Sequence, residues 1–174
     1  MIHQELNGAI NSQIVNELAA SNSYLAVAAY FDSLGLKVLS NHFFKQSSEE
    51  RMHALKLMRY LLDVNGDLQL GAIPSPRGEF HSAEDAIQHS LAQEIQTTKQ
   101  INGLMALAHR HEDYASISFL KWFVDEQVEE QASMNELLLL VRQAGPNNLL
   151  LVEERLMRGG LASYDGGDED GKED

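Results

Sequence analysis

The chain has 174 residues, enough for one domain with one sizeable core. Its 13 Lys and Arg face 26 Asp and Glu, and the formal charge of −13 argues against nucleic-acid phosphates and anionic membrane surfaces as partners and favours cations. No cysteine is present, so disulfides, thiolate zinc sites and iron–sulfur clusters are excluded and any metal must be held by carboxylate, imidazole or carbonyl groups.

In chain order, Met1-Ile2-His3-Gln4-Glu5 lacks the basic start and apolar stretch of a secretory signal. A first helix is expected from about Leu6 to Leu34, ended by Gly35, and a second from about Ser40 to Val64, ended by Asn65-Gly66. Asp67–Ser82, with Gly71, Pro74, Pro76 and Gly78, reads as irregular connection. A third helix begins after the N-cap Ser82, with Asp85 three residues on, and runs to about Arg110. A fourth covers roughly Tyr114 to Gln143 and stops at Gly145-Pro146; a short fifth spans about Asn147 to Arg158. The domain should therefore occupy residues 1–160, and residues 161–174, acidic and glycine-rich, read as a disordered tail. No apolar run approaches the ~20 residues that span a bilayer, so the expectation is a soluble, cytoplasmic protein. A plastid address on a removed precursor segment would leave no trace here.

Short connections make the first and second helices, and the third and fourth, antiparallel pairs. The linker between the pairs, at up to ~3.3 Å per extended residue, can traverse a helix length. The fold class is thus all-α: a four-helix bundle with a long crossover between the second and third helices, plus a short fifth helix.

Each long helix carries a seam spaced alternately three and four residues apart. The first reads Ile10, Ile14, Glu17, Ser21, Tyr24, Ala28, Phe31, and the second Phe43, Gln46, Glu50, His53, Leu57, Tyr60, Val64. The third gives Ile87, Leu91, Glu94, Thr98, Ile101, Met105, Ala108, and the fourth Ser116, Leu120, Phe123, Gln127, Glu130, Met134, Leu137, Val141. All four seams carry an acid near mid-helix. A buried carboxylate is rare unless paired or bound to metal, and four in one layer would repel unless cations filled it. Glu50-x-x-His53 adds an imidazole one turn from its carboxylate, on the same face. Oxygen-rich ligation with one imidazole suits iron, and would also accept manganese or zinc.

The set Glu17, Glu50-Arg51-Met52-His53, Glu94 and Glu126-Gln127-Val128-Glu129-Glu130 resembles the bacterial non-haem ferritins, over about residues 1–160. The resemblance implies a ferritin-like fold and a ferroxidase that oxidises Fe(II) to Fe(III) with O₂ or peroxide at a di-iron centre and stores ferric mineral. It implies that Glu17, Glu50 and His53 hold the first iron, with Glu50 bridging to a second held by Glu94 and Glu130 with Gln127 close by. It also implies a third iron site at Glu49, Glu126 and Glu129, and Tyr24 as a redox-active neighbour. The fifth helix, apolar over much of its girth, points to self-association; the resemblance implies a homo-oligomeric shell of 24 subunits.

Several departures from related patterns matter. The fourth helix offers Gln127-x-x-Glu130 in place of a second Glu-x-x-His pair. Met52 directly precedes His53, whereas bacterioferritins carry their haem methionine two residues before the histidine, where this chain has Arg51; no haem is expected. The acids that line the iron-entry channel of animal ferritins correspond to Ile117 and Leu120. Trp122 reads as packing, and His109, His111, Glu112 and Asp113 as a solvated polar turn. A non-storage di-iron oxidase or peroxidase on the same bundle is the alternative function, although the cysteine-rich domain of rubrerythrins is missing.

Overall fold

The computed structural model describes residues 2–159 and residue 161. Its helices are α1 (Gln4–Ser33), α2 (Lys37–Asp63), α3 (Ala83–Arg110), α4 (Tyr114–Ala144) and α5 (Leu149–Gly159). No strand occurs among the described residues. α1 packs against α2 and α3 against α4, with further contact between α1 and α3, so two antiparallel pairs form one bundle.

Three helices end in the same way. Leu36 N–H donates to Phe31 O at 3.0 Å while Gly35 N–H donates to Asp32 O at 2.9 Å, the paired bonds of a Schellman cap with Gly35 at φ 76°. Asn65 (φ 55°) fills that left-handed position after α2, and Glu112 (φ 52°) after α3. Gly66 is required for another reason: a Cβ there would lie 2.6 Å from Asn7 Oδ1 and 3.0 Å from the Leu61 carbonyl oxygen. At the start of α3, Ser82 Oγ accepts from Asp85 N–H at 3.1 Å, as its sequence pattern predicts.

The crossover is anchored along α1. Asn7 Nδ2 donates to Asp67 O at 2.9 Å, and Asn11 Oδ1 accepts from Gln69 N–H at 2.7 Å. At its far end Phe80 packs on Tyr30, 5.5 Å between ring centroids. From Asn7 to Tyr30 is about 35 Å along the helix, so the linker does traverse the bundle.

The seams are buried as expected along α1 and α4. On α2 the buried line shifts from Leu57 to Leu61, leaving Tyr60 and Val64 half-buried. A straight helix drifts against a strict seven-residue repeat, and this is the physical reason. α3 likewise seals Ser90, Thr97 and Leu104 more fully than Leu91, Thr98 and Met105.

α5 docks on its own bundle more than its apolar girth suggests. Val152 is buried, Leu149 and Leu156 pack on the core, and Glu153 Oε1 accepts from Val38 N–H (2.7 Å) and Leu39 N–H (2.9 Å). That carboxylate caps α2, whose own N-cap Leu36 offers no side-chain acceptor. Leu150, Leu151 and Met157 face outward. Of the residues assigned to a tail, Leu161 packs against the core, and residues 162–174 lie outside the described residues.

The core is in two apolar clusters. One is built around Tyr24, Phe31, Phe43, Ile87, Met134 and Val141, the other around Ile10, Ile14, Leu57, Ile101, Leu120 and Phe123. A polar layer from all four long helices separates them.

Candidate metal centre

That layer holds Glu17, Glu50, Glu94 and Glu130, with exposures of 1%, 2%, 0% and 7%, together with His53 at 4% and Gln127 at 3%. One ligand atom from each of Glu17, Glu50 and His53 lies within 4.8 Å of the other two. His53 Nδ1 is 3.5 Å from Glu50 Oε2. The ring is wedged edge-on against Trp122 and Phe123, with centroids 5.4 Å and 5.8 Å away. Trp122 itself carries Lys56 Nζ over its face at 3.3 Å.

Glu94 is held from two sides. Tyr24 O–H donates to its Oε1, and Gln127 Nε2 donates to Oε2 at 3.3 Å. Thr98 Oγ1 lies 2.9 Å from Gln127 Oε1, which fixes the amide with its N–H₂ toward the carboxylate. Gln131 Nε2 donates to the same hydroxyl. Gln13 Nε2 donates to Glu17 Oε1 at 2.9 Å. Sequence reasoning missed Gln13 and Gln131. A signal existed for Gln13, which stands one i,i+4 step before Glu17; nothing in composition separates it from any other core glutamine.

Among the described residues, two fully shielded carboxylate oxygens, Glu17 Oε2 and Glu50 Oε2, accept no N–H or hydroxyl hydrogen bond; only a proton shared between the two carboxyls, or a cation, satisfies them. Buried acceptors are satisfied in folded proteins, and orphans of this kind need an explanation. Burial is also the largest cause raising these acids above the ordinary carboxylate range. For Glu17 the Glu50 carboxylate adds to it, and for Glu50 the Glu94 carboxylate does. Glu94 is raised too, although Tyr24 and Gln127 pull it back, and Glu130 is pushed up to about 8, by burial and then by Glu94. Burial and the surrounding carboxylates hold the Tyr24 phenol well above its usual value, so it is a hydrogen donor to Glu94. A cation relieves all of these strains together, and the donor set of oxygens plus one imidazole fits iron.

Glu49, Glu126 and Glu129 stand apart. They are half-buried and line a cavity of about 590 Å³ with Glu130, Gln46 and His42. Glu49 is engaged by Gln46 Nε2 and by Lys45 Nζ at 3.3 Å. Among the described residues, these acids form no trio whose ligand atoms all lie within 4.8 Å of one another. Met52 is exposed, Leu120 is fully buried, and Ile117 packs against the second apolar cluster. His111 lies in the partly exposed turn after α3, and its ring stacks on His3 at 3.6 Å between centroids.

The family model for the ferritin-like domain matches residues 7–144. The chain is 37% identical over 158 residues to a bacterial non-heme ferritin of Staphylococcus saprophyticus, covering 90% of this chain and 95% of that one. It is 36% identical to an open pore ferritin from the archaeon Archaeoglobus fulgidus, with a TM-score of 0.86 over 90% of this chain and 98% of that one. A humanized archaeal ferritin gives a TM-score of 0.88 at 34% identity, over 93% and 99% of the two chains.

Proposed function

The chain belongs to the ferritin family, and we propose that it is a ferroxidase that takes Fe(II) into the buried carboxylate layer, oxidises it with O₂ or H₂O₂, and passes Fe(III) to a mineral inside a homo-oligomeric shell. The observation that carries this reading is the convergence of Glu17, Glu50 and His53 around two shielded carboxylate oxygens that accept no N–H or hydroxyl hydrogen bond.

In this reading Glu17, Glu50 and His53 bind one ferrous ion, and Glu50 is shared with a second, held by Glu94 and Glu130. Each ion contributes one electron: two Fe(II) with O₂ and two protons give two Fe(III) and H₂O₂, and with H₂O₂ and two protons they give two Fe(III) and two waters. Protons displaced from the raised carboxyls on metal entry are available locally to the reduced oxidant. Gln13 orients Glu17; Thr98 and Gln127 orient Glu94. Tyr24 holds Glu94 in position by donating its O–H to that carboxylate. Glu49, Glu126 and Glu129 offer a third position through which Fe(III) leaves, because half-buried acids release a product more readily than a sealed cage.

Aerobic addition of Fe(II), followed by the amber ferric absorbance, tests the assignment. A rapid phase that survives unchanged in Glu50→Ala or His53→Ala overturns it. Size-exclusion chromatography tests the shell, since a particle of monomer or dimer size excludes it. A chain that turns over peroxide yet accumulates no mineral would be a non-storage di-iron oxidase or peroxidase instead.

A further inference from the structure

A second meeting of metal-binding side chains lies where α1 begins and α3 turns into α4. His3 caps α1, its Nδ1 accepting from Glu5 N–H at 3.3 Å. Glu5 follows in the first turn of α1, and the Schellman cap after α3 swings His111 toward it. His111 Nε2 lies 2.9 Å from Glu5 Oε2, the two imidazoles stack with planes 15° apart, and one ligand atom from each residue lies within 4.8 Å of the other two. The carboxylate is divided: Arg110 Nη1 takes Oε1 at 3.2 Å and leaves Oε2 to His111. Glu5 stands about 18 Å along α1 from Glu17, so none of these groups belongs to the buried layer.

We propose that His3, Glu5 and His111 form a surface site for a divalent transition-metal ion of the zinc, copper or nickel class. Two imidazole nitrogens and one carboxylate oxygen are borderline donors that select such ions over calcium or magnesium. The adjoining cavity of about 440 Å³, lined in part by Glu112 and Asp113, has room for the water ligands that complete coordination. The His3 cap bond is long and exposed, so that ring can turn to ligate at small cost. An ion here ties the start of α1 to the α3–α4 turn and stabilises the folded chain in proportion to its binding. Ring stacking and the ion pair alone would join the same two segments, but they predict no metal affinity.

The test is equilibrium dialysis of the full chain against Zn²⁺, with folding checked by circular dichroism. His3→Ala and His111→Ala are each expected to lose one zinc per chain, or to weaken its binding tenfold or more. Glu50→Ala/His53→Ala keeps this zinc while losing those of the buried layer, so failure of the surface site and failure of the ferroxidase assignment are distinguishable. Arg110→Gln removes the cation competing for Glu5 and should tighten the zinc by up to about fivefold. Wild-type zinc binding in either histidine variant overturns the proposal. Should those variants misfold, Arg110→Gln decides: tightening supports the site, unchanged affinity overturns it.

Discussion

Two sets of acids lie within a few helical turns of one another and live in different media. Glu17, Glu50 and Glu94 are sealed between two apolar clusters, Glu130 is buried with one side on a cavity at the edge of the bundle, and Glu49, Glu126 and Glu129 line that same cavity half-buried. In the sealed set a carboxylate must be protonated, hydrogen-bonded or on a metal, because no water reaches it. At the edge an acid can keep some solvent and, like Glu49, borrow a lysine. Side chains of one chemical type thus occupy two media, and the proposed roles of tight binding and passage follow that difference.

The rapid oxidation phase puts this contrast under the greatest strain. Glu50→Gln keeps shape and removes the shared charge, and should slow that phase by at least about 100-fold. The triple replacement Glu49→Gln/Glu126→Gln/Glu129→Gln should change the first turnover by less than about threefold and slow later ones instead. Stopped-flow absorbance separates the two. Equal losses in both proteins would make the edge part of the same centre.

A second effect concerns the metal-free protein. Its buried carboxyls titrate higher folded than unfolded, so the stability of their protonated forms is complete below the ordinary value of about 4.5 and is lost as pH rises through the folded values, near 8 for Glu130. Urea midpoints of metal-free protein should therefore fall from pH 5 to pH 8, and added Zn²⁺ should restore them. Glu130→Gln should remove the part of the fall that ends near pH 8. A midpoint that climbs over this window would mean that the layer is ionised without metal.

Much of the fold and of the sealed layer is legible in the sequence. The crossover follows from linker length, and the sealed acids follow from seam spacing, because a helix converts sequence position into depth directly. What stays hidden depends on side-chain direction or on contacts between distant segments. Glu153 as the cap of α2 joins residues 115 positions apart, and no local pattern announces it. The stacking of His111 on His3 requires knowing that a Schellman cap with Glu112 in the left-handed region turns the chain back. The shift from Tyr60 to Leu61 on α2 arises because a strict heptad outruns a straight helix.

Gln13 belongs to the hidden class and gives a smaller test. Gln13→Leu fills nearly the same volume and frees Glu17 Oε1 from the amide that donates to it at 2.9 Å. Metal binding at Glu17, Glu50 and His53 should weaken about tenfold, and the metal-free fold should lose about 1–3 kcal/mol because Glu17 Oε1 is left buried without its donor. Trp122, the sole tryptophan, packs on His53 and serves as the reporter through its fluorescence in an anaerobic Fe(II) titration. Unchanged affinity would mean that the helix alone positions Glu17.

The smallest effect is at the edge. Lys45 Nζ lies 3.3 Å from Glu49 Oε1, with side-chain exposures of 77% and 35%. An exposed pair of this kind contributes under about 0.5 kcal/mol, so Lys45→Ala should leave the urea midpoint nearly unmoved. The same replacement removes a resident cation from the cavity. Ferric ion should then dwell longer at the edge, slowing later turnovers modestly at low salt, with the difference fading as salt screens the cavity. Were the edge sealed like the centre, salt would have little purchase on it and loss of Lys45 would destabilise the fold. Stability and salt dependence, measured on one variant, thus read out which medium Glu49 occupies.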